Sequence, residues 1–598
     1  MKTVTHSFFI VLCTLYIFQV CEAQIIYVPA DYPTIQEGIA AAYNGDTVLV
    51  ADGLYYENIN FLGKKPLMVA SQFIIDGDTN HISNTIINGS QPDDPNFGSV
   101  VTFNSGEDTT SVLCGFTVTG GTGNYEPPIN YKIGGGVHIG YSGGKLLYNY
   151  IRDNNVSYDT GVYGGGVIAG GPIGEIPWVV LRHNRIYNNT ASTNLDGSGG
   201  GVDIYYNAIV VDNEIYGNTV NAPRRCSGGG LEIGGAFGTI AVDVRNNIIR
   251  YNKAISLSDF SEYAITGGLS MAFNLTGIVS GNDISFNEVE SSDNIWGQGT
   301  GVLVQEAITD EFVFENNFIT NNTHNGQWCL GGGMLLYNTG GKFQNNVISK
   351  NQGTHGGGIT IQDCGEVFPV LINNTITGNT AANQGGGIHL DNATAVVINS
   401  IIWGNTSPND PSISAGENII DVLYSDVQGD DYWPGEGNEN IDPGFGEDGY
   451  HLSDSTPLEG SGIEATVING ITYECPEYDI DREPRPCGLN PDPEIGADEI
   501  CWVSVEEPAV GGQQSAVKCF PNQTTGYTEF LISNFNFQQV SLKVYNARGQ
   551  EVTTVLDQMM PAGQHTVTWD ATALPAGIYY YRLTTDDRRL TTGKIVKY

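Results

Sequence analysis

Acidic side chains at matching positions of a repeated motif are the first candidates for chemistry in this sequence. Asp203 and Glu232 each stand four residues after the first glycine of a Gly-Gly-Gly triplet. If the triplets mark equivalent points of a structural repeat, both carboxylates point outward from neighbouring strands, roughly 5 Å apart. Carboxylates at that spacing can act as an acid/base pair on a glycosidic bond or bind Ca²⁺. Asp203 and Glu232 are therefore candidate catalytic residues and candidate metal ligands, and Arg250 is a further catalytic candidate.

Basic and aromatic residues in the same stretch, residues 134–252, suit a polysaccharide. Tyrosine rings stack on sugar rings, and arginine pairs with carboxylates such as those of uronic acids. The candidates for substrate binding on this basis are His138, Arg152, Arg185, Tyr187, Tyr205 and Tyr216. The alternative is an ordinary solvated sheet face with ion pairs between neighbouring strands, because charged residues are mostly exposed in proteins.

These residues belong to a repeat whose copies start 25 to 39 residues apart. Each copy opens on a glycine triplet, or a weaker version of one, and continues with a short strand of alternating apolar residues. Its second half carries an asparagine, an isoleucine two residues later and another asparagine five residues after the first. The first asparagines of the matching copies are Asn149, Asn184, Asn213, Asn247, Asn282, Asn317, Asn346 and Asn374.

A fixed period of this length with short, Val/Ile-rich strands predicts a solenoid, in which like strands stack in parallel about 4.8 Å apart. Asparagine suits the sharp bends of such a coil, because it tolerates the left-handed backbone region. Its amide group both donates and accepts hydrogen bonds, so asparagines stacked coil on coil can form a ladder. We therefore expect the eight asparagines to be structural.

The asparagine ladder and the stacked aliphatic residues resemble the right-handed parallel β-helix repeats of the pectate-lyase-like superfamily, across residues 24–426. The resemblance implies an all-β fold. It implies no single activity, because this fold hosts lyases, hydrolases, esterases, epimerases, adhesins and inert stalks. The residue sets typical of polygalacturonases, pectate lyases and pectin methylesterases are not found in the sequence. Few lysines and arginines further weaken the case for a lyase, which needs a base.

The N-terminus has the features of a secretion signal over residues 1–23. Lys2 supplies its basic end, residues 8–20 form an apolar run, and a small-residue cleavage site ends at Ala23. Residues 24–133 are expected to form an N-terminal cap, with a helix that starts at Ile35 after the N-cap residue Thr34, and the first coils. The full coils then span residues 134–406, and a closing segment that caps the last coil spans residues 407–505.

A linker at residues 506–518 precedes a small domain at residues 519–598, where short alternating strands and turn signals predict a β-sandwich. The motifs of this domain, in order, are Pro521-Asn522, Gly549-Gln550, Ala562-Gly563-Gln564-His565, Leu574-Pro575-Ala576-Gly577-Ile578-Tyr579 and a basic end. Their order resembles the C-terminal sorting domain of the type IX secretion system. The resemblance implies that the secretion machinery is a partner, and that the protein is secreted or lies on the outer cell surface.

Composition excludes several partners. Lys plus Arg number 25 against 66 Asp plus Glu, so the net charge is −41. This charge argues against nucleic acid and against anionic membranes. After the signal, no segment is apolar and long enough to span a membrane. No cofactor is required by the sequence, although its carboxylates make Ca²⁺ a candidate.

Cysteine usage is compatible with an oxidising compartment. The chain after residue 23 keeps eight of the ten cysteines, and none has the Cys-x-x-Cys spacing of a metal site. A Cys475–Cys487 disulfide would close a short loop and is the pairing we predict. Cysteines in the coils are expected to be small buried apolar side chains.

The sequence thus predicts a secreted or cell-surface β-helix that binds carbohydrate or serves as an adhesive or structural rod. The alternative is a polysaccharide lyase or glycoside hydrolase, acting on an acidic polysaccharide at the outer face of coils 134–252. A groove walled by the long connections at residues 191–198, 220–227 and 254–266 would favour the enzyme. A flat face lined by threonine and serine would favour the rod. Whether the protein is an enzyme stays open at this point.

Overall fold

A computed structural model describes most of the chain. The described residues are 23–500, apart from 128, 172–175, 235–237, 257–262, 293–295, 310, 454 and 488–490, and 516–597, apart from 521–522, 525–526, 535–537, 547–550, 561–562, 573, 576 and 586–589. The predicted signal peptide, except its last residue Ala23, lies outside the described residues. So do residues 506–515 of the predicted linker.

Residues 25–427 form a parallel β-helix in which each full coil gives one strand to each of three sheets. Sheet 1 consists of Ile25–Val28, Thr47–Val50, Leu67–Ser71, Ser111–Cys114, Gly144–Leu147, Trp178–Arg182, Asn207–Val211, Ile240–Arg245, Leu275–Ser280, Phe312–Glu315, Lys342–Gln344, Val370–Ile372, Thr394–Ile398 and Ile419–Leu423. Sheet 2 consists of Gly53–Tyr55, Thr85–Asn88, Thr117–Thr119, Tyr150–Arg152, Arg185–Tyr187, Glu214–Tyr216, Ile248–Arg250, Asp283–Ser285, Phe318–Thr320, Val347–Ser349, Thr375–Thr377, Ile401–Trp403 and Asp426–Val427. Sheet 3 consists of Ile59–Asn60, Val101–Phe103, Val137–Gly140, Val167–Gly170, Val202–Ile204, Leu231–Gly234, Leu269–Ala272, Val302–Gln305, Met334–Tyr337, Ile359–Gln362, Ile388–Asp391 and Ile413–Ser414.

The core follows from the period-two alternation of the strands. Inward positions carry aliphatic side chains that stack on their equivalents in the next coil, such as Ile151, Ile186 and Ile215, and all three are fully buried. Burying one such side chain stabilises the fold by about 1.5–3 kcal/mol. Repetition over the whole stack produces one continuous apolar core.

The predicted asparagines form an unbroken hydrogen-bonded chain inside the helix. The Asn184 Nδ2 donates to Asn213 Oδ1 at 3.0 Å, and Asn213 Nδ2 donates to Asn247 Oδ1 at 3.0 Å. Asn213 Oδ1 also accepts the backbone N–H of Asn184, and Asn213 Nδ2 also donates to the carbonyl of Leu181. Every polar group of the amide is thus satisfied without water.

The backbone at these bends differs from the prediction. The left-handed conformation belongs to the residue before each ladder asparagine, for example His183, Asp212 and Asn246, which have φ of 55°, 59° and 55°. The ladder asparagines themselves are absent from the positive-φ positions of the described chain. Asparagine is therefore needed at these positions for its hydrogen bonds across coils, and not for tolerance of a left-handed backbone.

Replacing Asn213 with alanine should lower the free energy of unfolding of the β-helix by about 2–3 kcal/mol, because it leaves buried partners in both neighbouring coils unsatisfied. Urea denaturation followed by far-UV circular dichroism measures this change. Asn155, which is exposed and lies outside the ladder, provides the control. Asn155→Ala should shift stability by less than about 0.5 kcal/mol. An equal loss of stability in both variants would contradict a special contribution of the ladder hydrogen bonds to the free energy of unfolding.

A fourth set of strands follows the second asparagine of each coil and forms the arm, a pair of strands that leaves the coil and returns to the next glycine triplet. The arm strands are Phe97–Gly98, Gly123–Glu126, Tyr131–Ile133, Asn155–Tyr158, Gly161–Tyr163, Thr190–Thr193, Asp196–Ser198, Thr219–Asn221, Arg225–Ser227, Lys253–Ser256, Tyr263–Ile265, Glu288–Ser291, Trp296–Gln298, Thr323–Asn325, Trp328–Leu330, Gln352–His355 and Thr380–Gln384. The arm has its own apolar core, which includes Val156, Val162, Val220 and Cys226. The predicted long connections are therefore largely stacked strands.

The N-terminal end of the helix is capped as expected. Helix α1, Ile35–Ala41, begins after Thr34, whose Oγ1 accepts the backbone N–H of Glu37 at 3.1 Å. Ile35 and Ile39 are fully buried in the core of the first coils. Two short helices follow, α2 at Phe73–Asp76 and α3 at Asn80–Asn84.

The closing segment packs mainly along the sides of the last coils. Its hairpin, Ala465–Ile468 and Ile471–Glu474, lies against the outer face of sheet 1 at residues such as Val370 and Ile398. Residues Leu452 and Ile495 pack on Ile401 of sheet 2. Trp433 packs against the main core near the last coil.

The C-terminal domain is a β-sandwich of two sheets around one apolar core that includes Phe530, Leu542 and Trp569. One sheet consists of Ala516–Phe520, Tyr527–Asn534 and Gly563–Asp570. The other consists of Gln523–Thr524, Leu590–Lys597, Gly577–Thr585, Gln538–Asn546 and Glu551–Met560. Within the described parts of the chain, no helix combines the length and apolarity needed to span a bilayer.

The predicted Cys475–Cys487 bridge is not formed. Cys475 is a free thiol whose Sγ donates to Asn373 Oδ1 at 3.3 Å, so it faces the coils and not the loop that leads to Cys487. Cys487 is disulfide-bonded to a cysteine other than the five free ones. The coil cysteines are Cys114, Cys226, Cys329 and Cys364, and all four are buried.

Candidate functional site

The residues predicted to do chemistry lie on two different faces. Asp203 and Glu232 are direct register partners in sheet 3, as the repeat predicts. Arg250 lies in sheet 2, where it is the register partner of Tyr216. The cation beside the carboxylates is instead Arg225 of the arm, whose guanidinium lies 3.8 Å from Glu232 Oε1. The structure therefore separates Arg250 from the acidic pair.

The outward positions of sheet 3 were expected to be exposed, but they are buried. Asp203 is 0% exposed, and His138 and Glu232 are each 2% exposed. The reason is the arm, whose returning strand bends at the glycine triplet and lies over sheet 3. Ser198, at the end of one returning strand, donates to Asp203 Oδ2 at 2.5 Å. Sequence alternation indicates which side of a strand a residue takes, but not what covers that side.

The carboxyl groups of the buried acidic pair are only partly satisfied by hydrogen bonds. Asp203 Oδ1 and Glu232 Oε2 are both buried without a hydrogen-bond partner. Burial raises the pKa of Asp203 to about 8, and the negative charge of Glu232 adds to the increase. Asp203 therefore keeps its proton at neutral pH, while Glu232 faces Arg225. Ca²⁺ binding and acid/base catalysis by this pair stay predictions. A polysaccharide chain would contact the pair only by displacing the arm.

Tyr205 lies over the acidic pair, with its hydroxyl 3.5 Å from Asp203 Oδ2. Its ring occupies space that glycines leave open in the neighbouring coils, since a Cβ added to Gly170 would lie 2.9 Å from Tyr205 Cδ2. Burial raises the pKa of the Tyr205 hydroxyl well above its usual value. His138 is likewise buried, and its Nδ1 lies 3.0 Å from Asn124 Nδ2. Of these two predicted polysaccharide ligands, His138 is fully enclosed and Tyr205 is half-buried.

The remaining predicted ligands form a partly exposed row on sheet 2. The rings of Tyr187 and Tyr216 are stacked, with centroids 4.9 Å apart and planes 2° apart. Arg185 lies 5.4 Å from the centre of the Tyr150 ring and 3.4 Å from Glu214. Arg152 continues the row as the register partner of Tyr187. Each stacked tyrosine covers one face of its neighbour, so this row matches the alternative interpretation of mutual contacts between coils.

A groove of about 1040 Å³ lies between sheet 3 and the returning strands of the arm, and it was not predicted from the sequence. Its lining is rich in amide side chains and includes Gln298, Gln305, Tyr337, Gln362, Gln384 and Asn418. Two sequence positions supply most of it: the residue before each glycine triplet and the residue six after its first glycine. These positions carried the signal, but they lie in the coils after residue 252, outside the stretch 134–252 in which the candidate residues were sought.

A histidine pair lies in the floor of the groove. The rings of His355 and His389 have centroids 5.3 Å apart, and Trp328 stacks on His355 with a centroid distance of 6.1 Å. Burial lowers the pKa of His389 to about 4, and the proximity of His355 adds to the decrease. Asp391 accepts a hydrogen bond from Gln362 Nε2 at 2.9 Å nearby. The groove is thus a polar channel whose imidazoles are neutral near pH 7.

The closing segment contains a separate cluster, in which His451, Asp481 and Asp498 place one ligand-type atom each within 4.8 Å of one another. The His451 Nε2 lies 2.6 Å from Asp481, and its Nδ1 lies 2.5 Å from Asp448. The hydrogen bond with Asp481 is the main cause that raises the pKa of His451 to about 9, and Asp448 contributes. A protonated imidazole therefore acts as the resident cation of this cluster.

His451→Gln should destabilise the protein by about 1 kcal/mol near pH 6, because the imidazolium is about one-third exposed and its pairs are partly screened. The pKa in the fold exceeds that of an unfolded histidine, so the stabilisation is fully present below pH 6.5 and disappears as pH rises through 9. Urea denaturation at pH 6 and pH 10 measures the difference. A constant gap between wild type and variant across this range would contradict it.

The comparisons with known proteins concern the C-terminal β-sandwich. Residues 518–598 match the family model described as the secretion system C-terminal sorting domain. This domain is a type IX sorting domain. The protein is therefore exported, either secreted or held at the cell surface, and its sorting domain implies contact with the type IX secretion machinery. A search of curated proteins finds no match to the chain.

Proposed function

We propose that this exported β-helix binds a neutral polysaccharide chain along the groove between sheet 3 and the arm. The observation that carries the proposal is the lining: amide and aromatic side chains repeat in register along the groove. The contributing strands of sheet 3 run from Leu269–Ala272 to Ile413–Ser414. At about 4.8 Å per coil these six strands extend over roughly 24 Å, which suits several consecutive sugar units.

The chemistry of the lining matches sugar. An amide group both donates and accepts, as a hydroxyl does, so Gln305, Gln362 and Gln384 can each satisfy two hydroxyls of a sugar. Tyr337 and Leu330 supply apolar surface for the C–H face of a sugar ring. Ligand sites of this kind combine apolar surface with a few fixed polar groups.

Charge favours a neutral chain over an acidic one. The C-terminal half of the groove is lined by Asp363, Asp391 and Asp410, and Arg225 lies at the opposite end. With a net charge of −41, the whole protein also repels polyanions. An acidic polysaccharide would need a bridging cation such as Ca²⁺ to bind here. Cleavage at the buried Asp203–Glu232 pair is the less favoured alternative.

Tyr337→Ala and Gln362→Ala should each weaken polysaccharide binding about 10-fold, equivalent to about 1.4 kcal/mol. Affinity electrophoresis on glucans, mannans and xylans, and on pectate and alginate with and without Ca²⁺, identifies the ligand, and calorimetry then measures the affinity. The control is Tyr187→Ala on sheet 2, which should leave binding unchanged.

The same polysaccharides also test the alternative function. Reducing-end release and absorbance at 235 nm report cleavage, the latter through the unsaturated product of a lyase. We expect no release. Product formation that disappears in Glu232→Gln would establish the enzyme instead. Retention that depends on Tyr187 and not on Tyr337 would move the binding site to sheet 2, and retention of no polysaccharide would overturn the proposal.

A further inference from the structure

The two groove histidines come from different parts of neighbouring coils. His355 ends the arm strand Gln352–His355, and His389 lies in the sheet 3 strand Ile388–Asp391 of the next coil. The bend at each glycine triplet brings the arm and sheet 3 together, so the two imidazoles meet in the corner that forms the groove floor. Their ring centroids are 5.3 Å apart.

Both rings carry a nitrogen that the described protein leaves unsatisfied. The Nδ1 atoms of His355 and His389 are buried and have no hydrogen-bond partner, and His389 is only 7% exposed. A buried polar atom without a partner costs about 1–3 kcal/mol. Such atoms are rare in native proteins, and a bound ion is one of the physical explanations for them.

The surroundings favour a cation. Asp391 and Asp410 line the same part of the groove, and their carboxylates are held by Gln362 at 2.9 Å and by Ser414 at 3.1 Å. The Nε2 of His355 faces the Asn383 side-chain amide at 2.8 Å. A hydrogen-bond partner on one ring nitrogen of a histidine orients the other nitrogen toward a metal. An amide can serve either protonation state of the ring by exchanging its oxygen and nitrogen positions.

We propose that His355 and His389 bind one divalent transition-metal ion, such as Zn²⁺, Ni²⁺ or Cu²⁺, in the floor of the groove. Imidazole ligands select these metals over Ca²⁺ and Mg²⁺, which prefer oxygen. Rotation of the two rings brings one nitrogen of each to about 2.0–2.1 Å from a shared ion. Water completes the coordination. The site does not depend on whether the groove binds a polysaccharide.

Metal binding to the full chain provides the test. Titration calorimetry with Zn²⁺ should show one site, and H355Q and H389Q should each weaken it at least about 10-fold, in line with the loss of one imidazole ligand. The matched control is H451Q, which removes the histidine of the cluster in the closing segment and should leave this site intact. Circular dichroism checks that each variant is folded.

A second readout needs no substitution. The Cu²⁺ form of the wild-type protein should show an electron paramagnetic resonance spectrum with hyperfine splitting from two nitrogen ligands. Absence of Zn²⁺ and Cu²⁺ binding would overturn the proposal, as would loss of the site in H451Q alone. Metal binding without polysaccharide binding would refute the proposed function and support the metal site. Polysaccharide binding without metal binding would support the proposed function and refute the metal site.

Discussion

Arg485→Met should be the most damaging substitution in the closing segment, with a loss of about 3–5 kcal/mol in the free energy that holds this segment on the coils. The Arg485 and Glu499 side chains are 1% and 0% exposed, and their charged groups are 2.8 Å apart. Arg485 also donates to the carbonyls of Glu494 and Gly496 and reaches Asn345 of the coils. Its removal leaves the Glu499 carboxylate buried without a cation.

The carboxyl of Glu494 makes this site more sensitive still. Burial raises the pKa of Glu494 to about 9, and its hydrogen bond with Glu499 contributes, so Glu494 keeps its proton at neutral pH beside the Arg485–Glu499 pair. Limited proteolysis within residues 443–500, together with urea denaturation, measures the loss. Arg185→Met is the control, because that side chain is 48% exposed and should cost less than about 0.5 kcal/mol.

A double substitution separates charge from packing. Arg485→Met combined with Glu499→Leu should recover part of the lost stability, since removing both partners of a buried ion pair avoids the uncompensated charge. Proteolysis of Arg485→Met at the wild-type rate would show that the segment is held by its apolar contacts alone.

Asp203→Asn should stabilise the β-helix by about 5 kcal/mol at pH 8 and have almost no effect at pH 4. The pKa of Asp203 is raised in the fold, so the unfolded state loses its proton at a lower pH than the native state does. The free energy of unfolding of the wild type therefore falls as pH rises from about 4 to about 8, and asparagine removes this dependence. An amide also keeps an oxygen to accept the Ser198 hydroxyl.

Urea denaturation at pH 4, 6 and 8 tests the sign of this prediction. Glu214→Gln, on the partly exposed row of sheet 2, is the control and should show no comparable gain at pH 8. A gap between Asp203→Asn and the wild type that stays constant with pH would contradict a trapped proton. Lower stability of the variant at pH 8 would instead indicate that the Asp203 carboxylate is charged and paired in the fold.

The elements that could be predicted from the sequence are those set by local spacing. The repeat spacing places Asn184 and Asn213 at equivalent points of neighbouring coils, and therefore in one ladder. Thr34 is a typical N-cap residue, and it predicts the capping helix that begins at Ile35. Asp203 and Glu232 were correctly paired across neighbouring strands for the same reason. What the repeat could not convey is the surroundings of that pair, because Arg225 reaches it from the arm.

The sequence by itself determined the β-helix, its asparagine ladder and the sorting domain, because each depends on residues at short, regular intervals. Only the tertiary structure decided which faces are open. The arm lies over sheet 3 and buries Asp203, Glu232 and His138, while the same contact creates the groove with His355 and His389 in its floor. Period-two alternation assigns a residue to one side of a strand, but whether that side meets solvent, an arm or a closing segment depends on contacts between elements distant in the chain.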